Sequence, residues 1–137
     1  MNAKQYLKQY KRICERLRQM KKELAFIESQ MESTGGIGDG TPRGTDVSDK
    51  TGRIAALLAD QKAQYEYIMT ESLKIRSDIE NTINQVEDPL HAQLLYNRYI
   101  KCMSWRKVAE AIHISEDHTR GRLHKAALLA VEEIIAN

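Results

Sequence analysis

Residues 104–128 read SWRKVAEAIHISEDHTRGRLHKAAL, and this stretch decides the fold. Its pattern predicts two helices joined by a tight corner. Ser104 is an N-cap type, and Val108, Ala109 and Ile112 recur at the spacing of one apolar helix face. His113-Ile114-Ser115 supplies the corner, with Ile114 placed to plug the angle between the helices. Ser115 is the next N-cap, and Glu116 and Asp117 put negative charge where the helix dipole favours it. Ala109 is small where the helices must cross. Thr119, Leu123, Ala126, Ala127 and Ala130 give the second helix an inward face. His118, Arg120, Gly121, Arg122, His124 and Lys125 cover much of the rest. A helical corner presenting one helix of cations and small polar residues has the build of a major-groove reader.

Working outward, Asp88-Pro89 reads as an N-cap followed by proline at the first helical position. Leu90, Leu94, Leu95, Tyr99 and Ile100 then form a helix that buttresses the corner. Trp105, beside Arg98 and Tyr99, reads as packing. Beyond Leu128, Val131, Ile134 and Ile135 keep an apolar face, so the last helix is expected to run to Ala136.

The run from Asp88 to Leu128 resembles the promoter-reading, C-terminal helix-turn-helix region of bacterial sigma factors. Arg98-Tyr99, Ser104-Trp105, Val108-Ala109, Ile112, Ile114-Ser115 and Thr119 through Ala126 carry the resemblance. It implies a helix-turn-helix that binds a specific DNA sequence. Cys102 and His113 stand where that family usually has glycine, both places where a left-handed backbone is convenient. Thr119 stands where an apolar β-branched residue is usual. In size and layout the whole chain is similar to small phage late-gene transcription regulators of the ArpU and RinA type.

The N-terminal half carries a different pattern. Tyr6, Tyr10, Ile13, Leu17, Met20, Leu24, Ile27 and Met31 alternate in steps of four and three, a heptad seam flanked by charge. Thr34 to Ser48, TGGIGDGTPRGTDVS, is rich in glycine and reads as a flexible loop. No strand precedes it, so a phosphate-cradling loop is not indicated. A second helix is expected from Asp49 to about Val86, with its seam at Ile54, Leu58, Gln61, Tyr65, Ile68, Ser72, Ile75, Ile79, Thr82 and Val86. The loop is long enough for an antiparallel hairpin. Charge supports that arrangement, because Lys4, Lys8, Lys11, Arg12, Arg16, Arg18, Lys21 and Lys22 make the first helix basic at its start. Glu66, Glu71, Asp78, Glu80 and Glu87 make the second acidic toward its end. The alternative is that the basic face meets phosphate or an acidic partner.

The expected fold is therefore all-α. Residues 1–87 form a coiled-coil helical hairpin with a loop at about 34–48, and residues 88–137 form the helix-turn-helix domain. At 137 residues the chain has room for one compact domain plus an extended element. Cys14 and Cys102 lack metal-ligand spacing, and an unpaired pair suits a reducing cytoplasm, here that of a bacterial host cell. No apolar run reaches bilayer length, so no membrane partner is expected. His118 and His124 share a helix at a spacing that does not suit a metal pair. No serine or cysteine sits beside a plausible base, so no catalytic residue, metal or cofactor is expected.

The candidate DNA-binding residues are Arg106, Lys107, Glu116, Asp117, His118, Arg120, Gly121, Arg122, His124 and Lys125. Arg120 is the first choice for a base contact, since arginine bonds both major-groove acceptors of guanine. His124 with Asp117 or Glu116 would read neighbouring bases, and Gly121 would permit close approach. Arg106, Lys107, Arg122 and Lys125 suit phosphate contacts, which position without specifying. The overall net charge is only +2, modest for tight binding by one copy, so a homodimer joined through the hairpin is expected. Two other readings stay open. The domain could dock on RNA polymerase or another regulator, or the chain could be a phage DNA-packaging recognition subunit.

Overall fold

The computed structural model describes the backbone of residues 1–35 and 45–137, with side chains for 1–32 and 49–137. Within these residues every regular element is helical. They are α1 (Ala3–Gly35), α2 (Thr45–Asn84), α3 (Pro89–Leu95), α4 (Trp105–Ile112), α5 (Glu116–His118) and α6 (His124–Ala136). A π-helical turn, Tyr96–Ile100, extends α3, and a second, Thr119–Leu123, joins α5 to α6. The centre of the expected glycine-rich loop, 36–44, lies outside the described residues. Its flanks are helical, so α1 ends later and α2 begins earlier than the glycine and threonine content suggests.

Contacts divide the chain into two units, one of residues 1–14 with 72–137 and the other of residues 15–71. The division is not at residue 87, where the composition changes. In the first unit, Ala3 and Leu7 of α1 are fully buried in one cluster with Ile79, Ile83 and Val86 from the α2 end. The same cluster holds Leu94, Leu95, Tyr99, Val108, Ile112, Ala127 and Val131. The helical corner thus shares a single core with the start of α1 and the end of α2. Tyr6 ties those two helices by donating to the Asp78 carboxylate at 2.6 Å, with Thr82 Oγ1 at 2.8 Å. Burial and the Asp78 hydrogen bond together push the Tyr6 phenol up to about 12.

In the second unit, Leu17, Met20 and Ile68 are buried, while Leu24, Ile27, Met31, Ile54, Leu58, Gln61 and Tyr65 are half-buried. These are the seam positions of the two heptad patterns. Phe26, Leu57, Tyr67 and Met69 are exposed. Lys62 meets Glu28 at 3.7 Å on the surface, a pair worth little once solvated.

Capping explains where the shorter helices begin. Asp88 accepts from the Leu90 N–H at 2.9 Å with Pro89 in the first turn. Ser104 Oγ accepts from Lys107 N–H and Ser115 Oγ from His118 N–H, each at 3.3 Å. Each replaces a backbone donor's missing partner at a helix start.

Candidate nucleic-acid interface

The corner is built by a backbone reversal at His113. Its φ of 60° is left-handed, and the Ile114 N–H reaches back to the Ala109 carbonyl while His113 N–H reaches Glu110. That pair of bonds is the usual way a left-handed residue stops a helix. Ile114 then turns inward onto the core. Cys102, the other non-glycine residue with positive φ among those described, ends the helix before the corner in the same way. Met103 N–H reaches the Asn97 carbonyl at 3.0 Å, and Arg98 Nη1 donates to the Met103 carbonyl at 2.8 Å. Cys102 and His113 thus both hold a left-handed backbone.

Below the corner, Thr119 is fully buried and returns its hydroxyl to the Ser115 carbonyl at 2.8 Å. The buried threonine thus leaves no hydroxyl unsatisfied. The methyl packs inward, and the hydroxyl finds a partner one turn back. Leu123, Ala127 and Ala130 complete the inward face.

Nine of the candidate side chains or glycines lie at the surface: Arg106, Lys107, Glu116, Asp117, His118, Arg120, Gly121, Arg122 and Lys125 are exposed. Arg106 is partly engaged, with Nε 3.4 Å from Glu110 one turn along α4. Gly121 has nothing within 4 Å of where a Cβ would stand, so the fold does not require glycine there.

His124 is the correction. It is only 8% exposed, bonded through Nε2 to the Tyr99 hydroxyl at 2.6 Å and met edge-on by the Trp105 ring at 4.5 Å. A ring held in this way cannot reach a base edge. Burial chiefly, then the positive charges of Lys4, Arg98 and Lys8, lowers its pKa from 6.5 to about 4. The imidazole is therefore neutral and serves as a core ring. Sequence periodicity placed it beside Lys125 on the polar side, but the Tyr99 and Trp105 rings extend the apolar layer around that flank. Trp105 is half-buried and carries the Arg98 guanidinium 4.6 Å above its ring, a packing role.

The sequence marks Lys4 and Lys8 as part of a basic face but not where that face lies. Lys4 and Lys8 of α1 join Arg98, Arg120, Tyr99, Trp105 and His124 around a cleft of about 260 Å³. The first turns of α1 thus stand beside the cationic helix, a placement that no local pattern announces. Lys4, Lys8, Lys11, Arg12, Arg16, Arg18, Lys21 and Lys22 form no ion pair with an acid among the described residues. The contact between the start of α1 and the end of α2 is made by the neutral Tyr6 phenol on Asp78, not by a lysine–carboxylate pair.

Among the described residues no group of three or more histidine, cysteine or acidic side chains could hold a metal, and no helix is long and apolar enough to cross a membrane. Comparison with known protein families, with characterised proteins and with solved structures finds no match for this chain.

Proposed function

We propose that this chain is a sequence-specific DNA-binding transcription regulator. On this reading α4 and the helix from Glu116 onward act as a helix-turn-helix, the latter entering the major groove. The observation that carries the reading is the surface of that second helix. Arg120, Arg122 and Lys125 are exposed on it, over a core face closed by Thr119 and Ala127. Serine caps and the left-handed His113 stop, which end one helix and start the next, support a helical corner. A rigid helix with free cations and a glycine at its outer side is suited to a groove lined by phosphates.

In this mechanism Arg120 bonds a guanine, with Glu116 or Asp117 accepting from a neighbouring cytosine. Lys107, Arg122 and Lys125 hold phosphates, and Arg106 joins them by releasing Glu110. The resemblance to sigma-factor readers and to small phage regulators points the same way, toward control of phage or prophage genes. Helices α1 and α2 would form an antiparallel hairpin, which the Tyr6–Asp78 and Glu28–Lys62 pairs support. Exposed Phe26, Leu57, Tyr67, Met69 and Leu73 support burial against a second copy, giving a homodimer with two readers. Selecting bound sequences from a random duplex pool tests the function. Enrichment of a two-part site is expected, and recovery of unenriched DNA would defeat specificity.

A second reading draws on Glu116 and Asp117. Both are exposed in the first turn of the proposed reading helix, where acids oppose phosphate but suit a basic protein surface. Docking on RNA polymerase or another regulator would then replace base readout, and the chain would bind no duplex even at low salt.

A further inference from the structure

The cleft beside the turn Thr119–Leu123 gathers four cations from three parts of the chain. Lys4 and Lys8 come from α1, Arg98 from the turn after α3, and Arg120 from the start of the cationic helix. Among the described residues no carboxylate lines it, and Lys4, Lys8 and Arg120 have no ion-pair partner. Arg98 is fixed from two sides, by the Met103 carbonyl and the Trp105 ring. Tyr99, Trp105 and His124 pack on one another along the wall, with ring centroids 5.9 Å apart for Tyr99 and His124 and 4.5 Å for Trp105 and His124.

Four like charges around one recess repel each other, so the arrangement destabilises the empty fold. Such uncompensated cost is typical of residues placed for binding. A volume near 260 Å³ falls just below the roughly 300–1,000 Å³ of ordinary small-molecule pockets, and so suits one or two phosphate groups better than a whole nucleotide.

We infer that Lys4, Lys8 and Arg98, with Arg120 at the outer wall, form a phosphate-oxyanion site in which α1 takes a direct part. A duplex backbone phosphate and a free phosphorylated small molecule share this chemistry. Where DNA supplies the phosphate, the inference rests on the DNA-binding reading and extends its footprint to α1. The phosphate held there would lie next to the base contact of Arg120 and fix the register of the helix from Glu116 onward.

The test uses the full chain, with pyrophosphate and a random-sequence duplex as separate probes. Trp105 is the sole tryptophan and lines the cleft, so its emission reports occupancy. At constant ionic strength set with chloride, pyrophosphate should change that emission and raise Tm. In K4Q/K8Q its affinity should fall at least fivefold, while the ligand-free Tm stays level or rises as repulsion is relieved. The charge-matched variant K50Q/K62Q, altered on α2, should bind as the wild type does. For the duplex, K4Q/K8Q should lower the slope of log affinity against log salt by about 2, given roughly 0.9 per phosphate contact.

The source of the phosphate follows from the two arms. Loss for both probes, with the lower salt slope, assigns the site to the DNA backbone. Loss for pyrophosphate with unchanged duplex binding assigns it to a free phosphorylated ligand. If duplex binding is absent throughout while pyrophosphate still separates the variants, the cleft stands and the DNA reading falls. Equal affinity of wild type and K4Q/K8Q for both probes overturns the cleft, and the DNA reading survives if the duplex still binds.

Discussion

His113 and Cys102 each hold a left-handed backbone without being glycine. For an L residue that conformation costs on the order of 1–2 kcal/mol, partly offset because glycine loses more entropy on folding. His113→Gly should therefore stabilise the chain by about 0.5–1 kcal/mol, read as a rise in the denaturation midpoint, and a fall would mean that the histidine side chain makes a contact of its own. Arg120 and Lys125 separate two roles on one helix. Arg120→Ala should cost about 1–3 kcal/mol on the selected site and relax preference at one base position. Lys125→Ala should weaken all duplexes alike and flatten the salt dependence. Identical losses on specific and random DNA for both variants would remove the division. His124 titrates in the opposite sense to a surface histidine. Its folded pKa, about 4, lies below the unfolded value of 6.5, so the unfolded chain takes up protons first as pH falls. The stability it contributes is complete above pH 6.5 and is lost as pH falls toward 4, about 2 kcal/mol of it between pH 7 and pH 5. His124→Gln should show a shallower pH profile by denaturant titration, and parallel profiles would contradict a neutral buried ring.

At the scale of the element, periodicity and capping rules recovered a great deal. The seam residues Leu17, Met20, Ile68, Ser72, Ile79, Thr82 and Val86 are all buried, and Asp88, Ser104 and Ser115 all cap helices. These signals are local, since a cap acts within three residues and an apolar stripe within a few turns. Leu7 and Ile83 escaped because a heptad reading takes one residue per step, and each adjoins a seam position already assigned. His124 escaped for a different reason. Imidazole serves equally as a polar surface group or a ring in a core, and the choice lies with Tyr99 and Trp105, distant in sequence. Gly121 joins fold to proposed function within one helix. Open space surrounds it, so Gly121→Ala should stabilise the helix by about 1 kcal/mol. If the glycine serves close approach to DNA, the same change should weaken duplex binding. Greater stability with undiminished affinity would show that close approach is not its purpose.

At the scale of the whole molecule, the exposed apolar residues set the expectation for assembly. Phe26 is 62% exposed and Leu73 60%, values that a second copy would reduce. Sedimentation at tens of micromolar should return a dimer, and Leu17→Lys with Leu24→Lys should yield monomers or an unfolded coil with specific binding greatly weakened. A wild-type monomer bound to a single half-site would refute the pairing. The joining of residues 1–14 to residues 72–137 was not legible in the sequence. Composition changes at residue 87, whereas the buried cluster that makes the unit extends in sequence from Ala3 and Leu7 to Val131. That closure bears on the order of events during synthesis. Leu7 is synthesised well before Ala127 and Val131, which share its buried cluster. Until those two follow, the cluster is incomplete and open to chaperones, and the loop-closing step comes last and is slow by the standards of helical proteins. A fragment beginning at residue 88 would lack Ala3, Leu7 and Ile79 from its core, so excising the apparent C-terminal domain removes one side of its own interior.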